Sequence, residues 1–330
     1  MSGKLILVTG VTGFIAGHVA NKFVEAGYRV RGTARGAKAK ALTAAVNHPS
    51  YEFVQVDDLI KDDLTEALKG VYGVAHVASP LPGKTSDVDD ALDSAIEATL
   101  NVMRQTEKAG IEKMVLTGTF GSVCDPTLIP AFGGLTFTES DWGEVTREQA
   151  LAKKDDAYYV YFASKIIAER AMWKFAEEHP KLDIACVLPG FVYGPFAEHI
   201  PTPTKAQLGT NSYILGLIKG GTPPQPPPCV VDARDVGRGH VLAFELPRKP
   251  VGEKRYFLNG GLLSWQEATK VIAKSHPDIK TTPQPDLPGP PSGLDMSKTQ
   301  RDLKFGEFIS PETTIIETVN ALLAAEKTWN

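Results

Sequence analysis

Short runs of consecutive apolar residues alternate, along the first half of this chain, with stretches whose apolar positions recur every three or four residues. Lys4-Leu-Ile-Leu-Val-Thr9, closed by Gly10, is the kind of run that a strand buried on both faces requires. Phe14 to Ala26 has helical spacing and stops at Gly27. The same alternation predicts strands over Tyr28–Ala34, Tyr51–Val56, Gly73–Ala78 and Lys113–Thr117, and helices over Ala37–Val46 and Asp87–Ala109. A further helix, capped by Asp155 or Asp156, runs through Tyr161 to about Glu178, and Ile184–Leu188 is the next strand. Strands separated by helices are joined by crossovers, so a parallel sheet covered by helices is expected, an α/β fold.

After Pro189 the texture changes. Residues 195–228 are rich in proline and end in Pro223-Pro-Gln-Pro-Pro-Pro228. Proline has no N–H to donate, so loop or extended chain is expected there, either as plain surface or as a cover over a bound molecule. Asp235–Leu246 reads as a helix, Arg255–Asn259 as a strand, Thr281–Pro291 as a loop and Pro311–Ala325 as a closing amphipathic helix. No internal repeat is visible. Residues 1–189 and 231–260 are assigned to the core, 190–230 and 261–330 to a smaller lobe that binds substrate.

Composition narrows the function classes. With 330 residues, 42% apolar and 22% charged, the chain is ordinary globular protein. A net charge of −4 gives no footprint for nucleic acid, so any phosphate needs a local positive site. Cys124, Cys186 and Cys229 have neither CxxC nor Cys/His spacing, so reduced thiols in a cytoplasmic protein are expected, with no metal site. The strand pattern starts within the first ten residues, so no signal peptide is expected. No apolar run reaches about 18 residues, so no membrane partner is expected. Nothing in the pattern specifies an oligomeric state.

The chemistry begins at the first strand-to-helix turn, Thr9-Gly10-Val-Thr12-Gly13-Phe14-Ile15-Ala16-Gly17. Gly10 suits a tight turn, Gly13 lets backbone approach a pyrophosphate, and Ala16 permits close helix–strand packing. The helix N-terminus then offers unpaired N–H groups, including those around Phe14 and Ile15, to anionic oxygens. This is the glycine turn of a Rossmann-type doubly wound sheet. An acid at the end of the second strand would bind the ribose diol of NAD; here the strand reads Arg29-Val-Arg31-Gly-Thr-Ala-Arg35, with Lys38 and Lys40 beyond. Arg35 can fork onto a 2′-phosphate, which makes NADP(H) the expected cofactor. Asp58, beside Leu59 at the end of the third strand, is placed to meet the adenine amino group.

Tyr161-Phe-Ala-Ser-Lys165 puts a phenol and an ammonium four residues apart on one helix face. A free tyrosine has a pKa near 10, and a neighbouring positive charge lowers it toward useful acid–base chemistry. Tyr158 and Tyr159 have Phe162 and Ala163 at the matching offset, so only Tyr161 gains the ammonium. His76, in an apolar strand, reads as a structural histidine, and Trp142 in Thr138-Glu-Ser-Asp-Trp142 as a packing residue. Phe120, Phe191, Phe196 and Tyr213 are candidates for an apolar substrate wall.

Residues 9–17 and Tyr161-x-x-x-Lys165 resemble the extended short-chain dehydrogenase/reductase superfamily. So do His76-Val-Ala78-Ser79-Pro80, Val115-Leu-Thr-Gly-Thr119, Leu188-Pro189-Gly-Phe-Val192-Tyr-Gly-Pro195 and Val231-Asp-Ala-Arg-Asp-Val236. The likeness covers nearly the whole chain and is nearest to the dihydroflavonol reductase and cinnamoyl-CoA reductase branch, which includes microbial aldehyde and ketone reductases. It implies NADPH-dependent reduction of a small carbonyl substrate, with Ala78, Ser79, Pro189 and Val192 at the cofactor and Arg35 at its 2′-phosphate. The family's catalytic serine corresponds to Thr119, which keeps a hydroxyl; Ser122 is a nearby alternative. Ala157-Tyr-Tyr-Val-Tyr161 departs from the signature of the CoA-thioester enzymes. Cys124 stands where flavonoid reductases carry a polar residue, and joins the substrate candidates. The competing readings are a nucleotide-sugar epimerase or dehydratase with bound NAD, and a regulator that senses NADP without chemistry.

Overall fold

The computed structural model describes residues 3–79 and 88–329. Pro80 and Asp87, named above in a motif and as a helix start, lie outside the described residues.

The first half runs β1 (Leu5–Val8), α1 (Phe14–Glu25), β2 (Arg29–Ala34), α2 (Ala37–Ala45), β3 (Tyr51–Gln55), α3 (Thr65–Leu68), β4 (Val71–His76), α4 (Val88–Lys108) and β5 (Lys113–Thr117). Then come α5 (Leu128–Ala131), β6 (Thr136–Phe137), α6 (Arg147–Ala152), α7 (Ala157–Glu178), β7 (Asp183–Pro189) and β8 (Phe191–Tyr193). The rest is α8 (Asn211–Ile218), β9 (Cys229–Asp232), α9 (Ala233–Glu245), β10 (Arg255–Leu258), β11 (Gly261–Leu262), α10 (Trp265–Ser275), β12 (Gly293–Leu294), α11 (Ser297–Leu303) and α12 (Pro311–Glu326).

Seven strands form one sheet in the order β3-β2-β1-β4-β5-β7-β10, every neighbouring pair parallel. The expected doubly wound Rossmann sheet is therefore present. All four residues of β1 are buried, as its unbroken apolar run requires of a central strand. One sheet face carries α1 and α9, with Val19, Phe23, Val236 and Phe244 in a common core. The other carries α4 and α7, through Val102, Met103, Met172 and Trp173. The chain winds outward from β1 to β3, then returns to β4 on β1's other side. That reversal opens a crevice at the carboxyl ends of β1 and β4, where such sheets bind ligands.

Beyond β7 a second, three-stranded sheet of β8, β9 and β11 packs with α8, α10 and α12 around Tyr193, Leu215, Trp265, Ile272 and Ile315. Here one expectation is corrected. Residues 195–228 are not wholly loop, because α8 lies inside them. Its eight residues sit in the proline-free gap between Pro203 and Pro223, and Ile214, Leu215, Leu217 and Ile218 supply a face that is buried. The Pro223–Pro228 run is free of helix and ladder, as expected; Trp265 secures it by donating from its indole to the Pro224 carbonyl (2.9 Å). Helix α10 was not marked by periodicity, although Ser264 and Glu267 form a capping box at its start.

Candidate active site

The loop after β1 is shaped by what a side chain there would strike. Gly10 has φ +67°, and a Cβ on it would lie 2.8 Å from that of Ala78. The loops after β1 and β4 are tied by Thr9, whose hydroxyl accepts the N–H groups of Val77 and Ala78 at 3.0 Å each and lies 3.0 Å from His76 Nδ1. With its lone pairs so occupied, the Thr9 hydroxyl donates to His76, which burial holds neutral with its pKa down to about 4. His76 is the structural histidine expected. Helix α1 then starts on Gly13 with no side-chain cap and no acid in its first turn. Gly13 is exposed, while Thr12, Phe14 and Ile15 are half-buried. An uncapped 12-residue helix pointing out of a glycine cradle fits the anionic pyrophosphate of a dinucleotide.

Arg35 lies exposed just past β2, with no carboxylate within ion-pair reach among the described residues. Its neighbour Gly36 donates its N–H to Asp57 Oδ1 at 2.6 Å. The Asp57 carboxyl is held low by its bond from Gln55, by that from Gly36 and by the Arg35 charge. Asp57 thus anchors the Arg35 turn, a part that sequence reading passed over for Asp58. One oxygen of Asp58 accepts from Ile60 N–H at 2.8 Å, and the Leu59 carbonyl accepts from Asn101.

Helix α7 carries the central pair. Asp156 caps it, accepting from Tyr159 N–H at 3.0 Å, so of the two candidate caps the second is used. Lys165 Nζ lies 5.8 Å from the Tyr161 ring centre and donates to Ser79 Oγ at 2.5 Å, joining the helix to the end of β4. Burial lowers the Lys165 ammonium to about 8 and raises the Tyr161 phenol, the opposite of the lowering expected from the ammonium, because desolvation outweighs it. Pro189 closes β7, and Val192 is buried in β8 one residue past Phe191. At Gly190, between those strands, a Cβ would come within 2.7 Å of the Cys229 carbonyl oxygen. The carboxyl ends of β1, β4, β5 and β7 therefore face one crevice.

Two hydroxyls follow β5, and the structure separates them. Thr119 is half-buried; among the described residues its oxygen accepts from Gly121 N–H at 3.2 Å and donates to nothing. Ser122 is wholly buried, and its hydroxyl is turned to Glu169 and to the Thr119 carbonyl (2.7 Å). Gly121 lies flat on Phe162, where a Cβ would come within 2.0 Å of the ring.

The substrate candidates only partly converge. Phe120 meets Phe191 edge-on at 5.9 Å, and with Cys124 it lines a small apolar recess closed by Phe137, Pro227 and Leu294. The Cys124 thiol is pushed up to about 11 by burial, so it lines rather than reacts. Phe196 lies elsewhere, edge-on to Phe14 at 6.4 Å over the start of α1. Tyr213 packs 6.2 Å from Trp265. Tyr158 lies near both Cys124 and Tyr213, and burial raises its phenol. It has no ammonium at the matching offset, yet its place three residues before Tyr161 puts it on the same helix face. Pro227 and Leu294 carry no chemical signal in sequence. Trp142 packs as expected, its ring 3.8 Å from the Arg255 guanidinium.

Comparison with known proteins agrees with this geometry. Residues 6–258 match the NAD dependent epimerase/dehydratase family. Ketoreductase azaE of Aspergillus niger is 32% identical over 97% of this chain and 98% of its own length. Aldehyde reductase 2 of Sporidiobolus salmonicolor is 32% identical over 90% of this chain and 87% of its own. The crystal structure of yeast methylglyoxal/isovaleraldehyde reductase Gre2 complexed with NADPH superposes with a TM-score of 0.84 at 27% identity, covering 98% of this chain and 99% of that one. A match that runs from β1 through β10 spans the whole sheet and its crevice, and the chain belongs to the NAD-dependent epimerase/dehydratase family.

Proposed function

We propose that this protein is an NADPH-dependent carbonyl reductase that reduces an aldehyde or ketone on an apolar, aromatic or branched small molecule to the alcohol. The observation that carries the reading is the Tyr161–Lys165 pair at the sheet's crevice, with the Thr119 hydroxyl in the turn packed on the same helix. The names of the relatives, reductases of aldehydes and ketones, support it. NADPH, when bound, supplies the hydride. The N–H groups at Gly13, Phe14 and Ile15 would hold its pyrophosphate, Arg35 its 2′-phosphate, and Ser79, Lys165, Pro189 and Val192 its nicotinamide end.

Tyr161 donates the proton to the carbonyl oxygen, and burial keeps its phenol in the donor form through neutral pH. Lys165, held by Ser79, sets an ammonium one turn away that steadies the phenolate left behind. Thr119 donates a second hydrogen bond to the same oxygen. The small recess lined by Phe120 and Cys124 is mostly apolar, and Phe191 packs on Phe120 beside it; these surroundings support an apolar substrate over a sugar diphosphate.

Cofactor choice gives a direct test. Losing a charged contact to the 2′-phosphate costs about 1.5–3 kcal/mol, roughly 10- to 150-fold in affinity. Arg35→Glu is therefore expected to raise the Michaelis constant for NADPH by that factor and to change that for NADH little. Equal losses with both cofactors would place the effect in folding instead of phosphate recognition.

A further inference from the structure

We propose that a buried network of Ser122, Glu169 and Arg255 positions the Thr119 hydroxyl against the Tyr161 phenol. These three are positioning residues for carbonyl reduction, an inference that rests on the reading of Thr119 given above. Tyr161, Lys165 and Glu169 occupy successive turns of α7, so a displacement of one carries the others. Glu169 and Arg255 are 6% and 2% exposed and Ser122 is wholly buried, so none of the three lies open to the crevice.

Every donor of the Arg255 guanidinium is committed. Nε donates to Glu169 Oε1 at 2.7 Å, and Nη1 to the carbonyls of Glu139 (2.5 Å) and Asp141 (2.9 Å). Nη2 reaches Ser122 Oγ at 3.3 Å and Glu169 Oε2 at 3.4 Å. Glu169 Oε1 also accepts from the Trp173 indole at 3.2 Å, and Oε2 accepts from the Ser122 hydroxyl. A buried ion pair of this kind adds little net stability over apolar packing, because desolvation offsets the attraction. Its structural product here is orientation.

That orientation falls on the turn after β5. The Thr119 carbonyl accepts from the Ser122 backbone N–H at 3.1 Å, and the single proton of the Ser122 hydroxyl is shared between that carbonyl (2.7 Å) and Glu169 Oε2. Gly121 seats the same turn on Phe162, the residue next to Tyr161. The network thus grips the backbone of Thr119 from one side and the helix of Tyr161 from the other. The two hydroxyls that must meet at one carbonyl oxygen are set by a single rigid unit.

A double-mutant cycle on the full-length enzyme tests this, with NADPH and two aldehydes, isovaleraldehyde and benzaldehyde. Ser122→Ala is expected to lower kcat about tenfold, the scale of a sub-ångström misplacement, with the NADPH dissociation constant within twofold and the protein folded at assay temperature. In a Thr119→Val background, Ser122→Ala should cause no further fall, because the hydroxyl it positions is gone. Glu169→Gln should follow Ser122→Ala in direction. If it does not fold, the serine cycle decides alone, since that change leaves the ion pair intact. Full kcat in Ser122→Ala, or independent losses that multiply in the double variant, overturn the inference and leave the function standing. Full activity in Thr119→Val overturns the reading of Thr119 and this inference with it.

Discussion

Replacing Tyr161 with phenylalanine will cut carbonyl turnover by about two or more orders of magnitude, the scale of general acid–base catalysis, while NADPH affinity stays within about twofold. The ring and its packing survive the change, including the edge contact with Phe162 at 5.2 Å, so only the proton donor is lost. Burial lowers the Lys165 ammonium to about 8, so reduction first weakens as that charge is lost; burial also raises the Tyr161 phenol above its ordinary range, so loss of the proton donor forms a separate limb at higher pH. Tyr161→Phe should flatten that limb. Steady-state kinetics across pH checks both parts, and a phenylalanine variant with most of its activity would remove Tyr161 from the acid role.

Thr119→Val should cost about 2.7–4 kcal/mol of transition-state stabilisation, as does loss of one oxyanion donor, or roughly 100- to 1,000-fold in turnover. Valine matches threonine in shape and suits the extended backbone at φ −154°, so the change removes the donor together with the 3.2 Å bond that the hydroxyl accepts from Gly121 N–H. Thr119→Ser should keep most activity. Ser122, committed to Glu169 and to the Thr119 carbonyl, has the smaller effect expected of a hydroxyl that does not face the crevice. A severe loss at Ser122→Ala beside a mild one at Thr119→Val would reverse the two roles.

What sequence alone made readable was local or repetitive. The alternation from β1 to β5 was visible because most of the strands are largely buried runs, β3 being half-buried, and the helices between them are followed by glycine or proline. The Tyr161–Lys165 relation lies within one turn of one helix, so spacing suffices to place it. The cofactor loop is likewise a continuous segment. What was not legible depends on distant contacts. Glu169 meets Arg255 across 86 positions and Ser122 meets it across 133, and nothing in the spacing of these residues announces the triangle. Helix α8 hid between prolines because its buried apolar positions, Ile214, Leu215, Leu217 and Ile218, fall in one short run. Phe196 and Tyr213 are aromatic, as a substrate wall demands, but the second lobe sends one over α1 and the other toward Trp265.

Loss of NADPH absorbance on adding substrate tests the central claim most directly, with the alcohol product identified by chromatography. A panel of aliphatic and aromatic aldehydes, ketones and sugar nucleotides should give NADPH-dependent turnover of aldehydes or ketones, little with NADH, and none with sugar nucleotides. Tight NADP binding with no turnover of any carbonyl, or epimerisation of a sugar nucleotide without net cofactor consumption, would contradict it.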